Sequence, residues 1–153
     1  MDIKEEFMKE ALKEAKKAYC KMEVPVGAII VKDNLIIAKG YNQKETKNDA
    51  TRHAEIVAIE KACKKLNSWR LNDCTMYVTL EPCTMCAGAL IQARIKKVVI
   101  GTMEEKTGSC GSVLNLFEDY KFNHHVDTEY GVCETECKEI LKTFFKKLRE
   151  SKN

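Results

Sequence analysis

The sequence predicts an α/β fold: a three-layer α/β/α sandwich with a central mixed sheet of about five strands. Three observations carry this expectation. Segments with helical spacing alternate with short strand-like runs in the order αββαβαβ(α)βα, which argues for one mixed sheet covered on both faces. No internal repeat and no Pro-, Gly- or Ser-rich linker divides the chain. Its 153 residues match the usual length of one domain. A chain of that size buries about two-thirds of its unfolded surface. A single domain over residues 1–153 is therefore expected.

Each element has its own signal. Residues 3–22 place Phe7, Ala11, Ala15, Ala18 and Met22 on one face with lysines and glutamates opposite, the pattern of an amphipathic helix. Val26–Val31 and Leu35–Ala38 are short apolar runs around Lys32-Asp33-Asn34, a turn signal that makes them a hairpin. Residues 42–50 are polar and read as a loop. Residues 53–66 return to helical spacing through Ile56, Ile59, Ala62, Cys63 and Leu66. Met76–Leu80 is rich in strand formers and ends at Pro82. Cys83–Ala93 reads as a helix whose first turn follows that proline. Lys97–Ile100 is a short buried strand stopped by Gly101. In the mixed stretch 102–124, Gly108 and Gly111 mark loops and Val113–Phe117 suggests a helical turn. His125–Glu129 reads as an edge strand. Residues 133–150 carry Cys137, Ile140, Leu141, Phe144, Phe145 and Leu148 on one helix face.

Composition removes several classes. With 44% hydrophobic residues and a net charge of +3, the chain is not disordered. Seven glycines and two prolines exclude a collagen-like chain. The mild basicity neither demands nor excludes a nucleic-acid partner. No apolar run reaches membrane-spanning length, and the first 17 residues lack the apolar centre of a signal peptide. The expected setting is cytoplasmic, with no membrane partner. Eight cysteines in such a setting suggest metal binding or catalysis, together with buried thiols. Cys133 and Cys137 stand one helical turn apart without a nearby histidine, and read as core thiols.

Two stretches carry chemistry: His53-Ala54-Glu55 and, about 30 residues later, Pro82-Cys83-Thr84-Met85-Cys86. Together they resemble the H-x-E…P-C-x-x-C signature of the zinc deaminases. The residue types suit the task. Zinc takes nitrogen and sulfur ligands, and a catalytic site keeps one position open, so His53, Cys83 and Cys86 leave room for water. Cys83 and Cys86 share a helix face, near an N-terminus that favours thiolates. Glu55 stands two residues from a ligand. There it can carry protons between the water, a ring nitrogen and a departing amine without binding the metal. Other uses of the same residues exist. A lone CxxC can be a redox dithiol, and a lone histidine can belong to the core. A structural zinc site would need a fourth ligand, for which His124, His125 and Cys74 are candidates.

Beyond the signature, the chain resembles bacterial-type tRNA-specific adenosine deaminases over nearly its whole length. The matching residues are Glu23-Val24-Pro25-Val26-Gly27-Ala28, Gly40-Tyr41-Asn42, His53-Ala54-Glu55 and Tyr77 through Ala89. Lys106-Thr107-Gly108, Phe122-Asn123-His124 and Phe144-Phe145 complete the match. The resemblance implies a cytidine deaminase-like fold, one Zn2+ per subunit and a homodimer. It further implies conversion of the wobble adenosine of a tRNA anticodon stem-loop, typically of an arginine tRNA, to inosine. It places Asn42 against the base, Ala54 and Pro82 in the pocket wall and Val26 on the ring. Asn123 would contact the anticodon-loop backbone, Lys106 and Thr107 would flank the substrate, and Phe145 would pack near the flipped nucleotides. Two positions depart from the family pattern. Met103-Glu104 stands where Arg-Asp is usual; Glu104 keeps the charge expected beside a ribose hydroxyl, while a phosphate-binding arginine is lost. Ala50 stands where a proline often precedes the helix. Lys138, Lys142 and Lys146 recur every four residues on the last helix, suited to phosphates or to a solvated face. A small-molecule guanine, cytosine or nucleoside deaminase is the alternative, since the zinc motifs do not separate the two. A zinc-stabilised RNA-binding module is a third possibility, and in it Glu55 would be dispensable.

Overall fold

The computed structural model describes residues 2–152. Its elements are α1 (Ile3–Cys20), β1 (Gly27–Lys32), β2 (Leu35–Tyr41), α2 (Ala54–Leu66), β3 (Cys74–Leu80), α3 (Thr84–Gln92), β4 (Lys97–Thr102), β5 (Asp127–Tyr130) and α4 (Glu134–Ser151). The five strands form one sheet in the order β2-β1-β3-β4-β5. β1 is antiparallel to both β2 and β3, whereas β3, β4 and β5 run parallel. The mixed α/β/α sandwich expected from the sequence is thus observed.

Side chains alternate across the sheet with the two-residue period of a strand. Ala28, Ile30, Met76, Val78, Val98 and Ile100 face one core, which Ala54, Ala58 and Ala62 of α2 and Ala87 and Leu90 of α3 close. Ile29, Val31, Tyr77 and Val99 face the other, covered by Met8, Ala11 and Leu12 of α1 and Cys137 of α4. The hairpin turns through Asp33 and Asn34, with φ of 50° and 62°. Two successive positive φ values suit the twist of a two-residue turn, and Asn and Asp tolerate them. Gly40 sets how closely α2 can lie, since a Cβ there would meet the Ala54 carbonyl oxygen at 2.6 Å and the Ala58 nitrogen at 2.8 Å. The start of α2 therefore rests directly on the end of β2.

Three expectations need correction. Gly101 does not stop β4, which runs on to Thr102; the glycine instead makes room for Cys137 of α4, whose sulfur a Cβ there would overlap. The helical turn expected at Val113–Phe117 starts only at Asn115, whose carbonyl accepts the Asp119 amide at 3.0 Å. Cys110 and Asn115 pair as an isolated bridge, and Asn115 Oδ1 accepts hydrogen bonds from the Phe117 and Glu118 amides, each at 3.2 Å. A side-chain acceptor there caps the start of the turn, as at a helix N-terminus. The edge strand begins at Asp127 rather than His125, because His124 Nε2 donates to the Ile95 carbonyl at 2.6 Å and Val126 turns into the core. Among the described residues, no helix is long and apolar enough to cross a membrane.

The topology gathers several chain ends on one edge of the sandwich: the starts of β1, α2 and α3, and the ends of β2, β3 and β4.

Candidate active site and metal-binding residues

His53 is the N-cap of α2 and Cys83 the N-cap of α3, both with extended backbones and neither with a side-chain capping bond. Ser, Thr, Asp or Asn usually fill that position, because their oxygens satisfy free helix amides. Here the capping side chains turn instead toward each other. Cys83 thus precedes its helix rather than lying within it, and Cys86 follows in the first turn. His53 Nδ1 lies 3.6 Å from the Cys83 sulfur and 3.6 Å from the Cys86 sulfur. The three donor atoms fall within 4.8 Å of one another, the only such group among the described residues. Zinc–nitrogen and zinc–sulfur bond lengths imply a tetrahedral edge of about 3.6 Å, so the donor set fits this metal. Two helix N-termini add their positive ends to the site.

The titrating groups respond to one another. A hydrogen bond from Cys86 and the neighbouring His53 bring the Cys83 thiol down to about 4 against the opposing effect of burial. Its bond to Cys83, and then burial, push the Cys86 thiol up. A bond to Cys83 raises His53. Glu55, in the first turn of α2, is only 4% exposed. Burial pushes its carboxyl up to about 7.

These groups open onto a cavity of about 200 Å³, whose walls include Val26, Asn42, Ala54, Glu104 and Thr107. A cavity of this size admits a single base. Asn42 is buried, with its amide donating to the Val24 carbonyl at 3.2 Å and accepting from the Lys44 amide at 3.2 Å. It therefore shapes its own loop while bordering the cavity. A groove of about 1270 Å³ adjoins, sharing Val24, Leu80 and Glu104 with the cavity. Lys106, Phe145, Lys138, Lys142 and Lys146 line this groove rather than the cavity. Phe145 is 41% exposed and stacks edge-on against Phe144, ring centres 5.5 Å apart.

Two expected residues lie elsewhere. Pro82 is buried beside the cavity, where its carbonyl accepts the Ser109 amide at 2.9 Å. Asn123 is exposed at the far end of the sheet: it precedes β5, whose first residue Asp127 pairs with Lys97 at the start of β4. The cavity lies beyond the opposite end of β3 and β4. Sequence reasoning missed Val24, Leu80, Lys44 and Glu81 as cavity walls. Val24, Leu80 and Glu81 sit inside the quoted motifs, within two residues of Val26 or Pro82. Lys44 carries no signal beyond its loop.

This arrangement of fold, donors and buried carboxylate is that of a deaminase. A profile of the MafB19-like deaminases matches residues 2–149. The tRNA-specific adenosine deaminase of Bacillus subtilis is 49% identical over 146 residues, 95% of this chain and 91% of that protein. Its counterpart from Aquifex aeolicus is 50% identical, covering 97% of both chains. A solved structure from a study of A-to-I editing by tRNA:A34 deaminases at the wobble position superposes with a TM-score of 0.86. It is 43% identical and covers 89% of this chain and 99% of its own. A Bacillus subtilis guanine deaminase follows at a TM-score of 0.64 and 36% identity, with 93% of both chains covered. The chain belongs to the family of tRNA-specific adenosine deaminases.

Proposed function

We propose that this chain is a single-domain, zinc-dependent hydrolase that converts adenosine to inosine at the wobble position of a tRNA anticodon. The observation that carries it is the buried Glu55 beside the His53, Cys83 and Cys86 donors, at the floor of a base-sized cavity. Bound zinc supplies the Lewis acidity that makes water nucleophilic at neutral pH. His53, Cys83 and Cys86 hold it. Glu55 takes a proton from the attacking water, passes it to the ring nitrogen beside the reacting carbon, and delivers a further proton to the departing ammonia. A carboxyl near 7 can both accept and release protons at working pH. Val26 and Ala54 exclude water from the ring, Asn42 orients its edge, and Glu104 and Thr107 border the sugar side. A base already unpaired in a loop enters such a cavity at least cost.

Lys106, Lys138, Lys142 and Lys146 around the adjoining groove support an RNA chain continuing from the cavity. Phe145, exposed on the same groove, suits stacking on an unpaired base. A homodimer is part of the proposal. α3 holds no charged residue and leaves Met85 36% exposed, as interface cores are depleted in charge. The role that the resemblance assigns to Asn123 requires a second copy, because Asn123 lies far from the cavity of its own chain. A chain that sediments as a monomer at assay concentration would remove that role. The cytoplasm is the proposed setting, where reducing conditions keep cysteines free.

The test is a substrate panel: an arginine tRNA anticodon stem-loop, guanine, cytosine and free adenosine. Inosine in the stem-loop alone is expected. Product only from a free base or nucleoside would keep the zinc chemistry and overturn the tRNA assignment in favour of a small-molecule deaminase.

A further inference from the structure

We infer that Glu81 is a positioning residue whose buried carboxylate clamps the 103–112 loop, with its cavity residues Glu104 and Thr107, onto the turn that carries Cys83. The inference rests on the assignment of the cavity as the base pocket. Glu81 is 3% exposed. Its Oε1 accepts from the Glu104 amide at 2.9 Å and from the Ser112 hydroxyl. Its Oε2 accepts from the amides of Cys110 and Ser112, each at 3.0 Å. Both oxygens are thus committed to the loop, so the carboxylate acts through the loop and not on the substrate. The donors are all neutral. Bonds to an ionised acceptor are about twice as strong as neutral ones, which suits a carboxylate holding a loop without a cation.

Further bonds attach the same loop on either side of Cys83. The Ser109 amide donates to the Pro82 carbonyl at 2.9 Å, and the Ser109 and Thr84 hydroxyls meet at 2.8 Å. The Tyr130 hydroxyl donates to the Cys110 carbonyl at 2.6 Å. Gly108 completes the wrap, since a Cβ there would overlap the Glu81 carboxyl and the Glu104 carbonyl oxygen. The cavity wall formed by Glu104 and Thr107 and the turn bearing a metal donor therefore move as one body. A base held by that wall is held in register with the metal.

Glu81→Gln tests this. The variant keeps shape and volume but presents an NH2 group to donors that need an acceptor. The loss of a charge-assisted bond predicts about tenfold faster hydrogen exchange at the amides of Glu104, Cys110 and Ser112, and a KM for the stem-loop about tenfold higher. The expected kcat stays within about twofold, and zinc content and exchange in β1 and β3 stay unchanged. Gly108→Ala leaves the carboxylate intact and is expected to raise KM in the same way, while Glu81→Asp keeps the charge and recovers part of the loss. Unchanged loop exchange would overturn the clamp. So would a uniform rise in exchange with loss of zinc, which would make Glu81 a general stability residue. A wild-type chain inactive on the stem-loop would overturn the substrate assignment alone, and the exchange measurements would still decide the clamp.

Discussion

The candidate metal centre and the α4 groove differ in how they are built. At the centre, three donors and a carboxylate come from two short segments at two helix starts, and Glu55 and Cys86 are buried. Along the groove, α4 buries only Cys137 and Phe144 among its residues, and Phe145 on the adjacent face stands exposed. The contrast separates two tasks. Reaction chemistry needs a few groups fixed to within fractions of an ångström, which helix N-caps provide locally. Recognition of an RNA loop needs a broad, charged and accessible surface, which only the assembled fold provides.

Predictions sharpen that division in order of size. Cys86→Ala removes a buried donor. It is expected to abolish zinc binding and inosine formation together; metal analysis that finds zinc retained would contradict the donor assignment. Glu55→Gln leaves the donors in place. Activity should fall by about 10² to 10⁴ while zinc content stays unchanged. A fall of less than threefold would favour a zinc-stabilised binding module over an enzyme. Reversing charge at Lys138, Lys142 and Lys146 together acts on the groove. It should weaken stem-loop binding and flatten its salt dependence by up to about three units of slope, with kcat nearly unchanged. An unaltered salt dependence would return these lysines to an ordinary solvated face.

A smaller effect concerns Glu23, which holds the loop just after the cavity residue Lys44. Burial alone would raise the Glu23 carboxyl, but bonds from the Thr46 hydroxyl and the amides of Thr46 and Glu45, at 2.5, 2.5 and 3.0 Å, bring it below its ordinary value. A lowered folded-state value means stability that is present above the unfolded carboxylate range and lost as pH falls through the folded value. Glu23→Gln should therefore reduce the melting temperature at pH 7 and converge with wild type in acid. A gap that stays constant with pH would contradict the linkage.

The same contrast explains what was legible in the sequence. The hairpin was, because Asp33-Asn34 supplies a turn that its neighbours cannot. The gathering of His53, Cys83 and Cys86 beside Glu55 was, because His53-Ala54-Glu55 and Pro82–Cys86 each compress their candidate chemistry into a few residues. The turn expected at Val113–Phe117 starts later, at Asn115, because apolar spacing does not reveal that the Asn115 side chain caps the Phe117 and Glu118 amides. The Glu81 clamp was not legible, since its partners Cys110 and Ser112 lie 29 and 31 residues away. Asn123 sits in a matching motif yet falls beyond the far end of the sheet, a placement set by the parallel pairing of β4 and β5. Only the packing of α4 against the sheet reveals that its lysines face a groove continuous with the cavity.

The most direct test is to incubate the arginine tRNA stem-loop with zinc-loaded, chelated and zinc-restored protein and locate inosine by mass spectrometric sequencing. The expected result is inosine at the wobble position alone, lost on chelation and recovered with zinc. Inosine formation that persists at full rate after verified zinc removal, or that falls at other adenosines, would contradict the account.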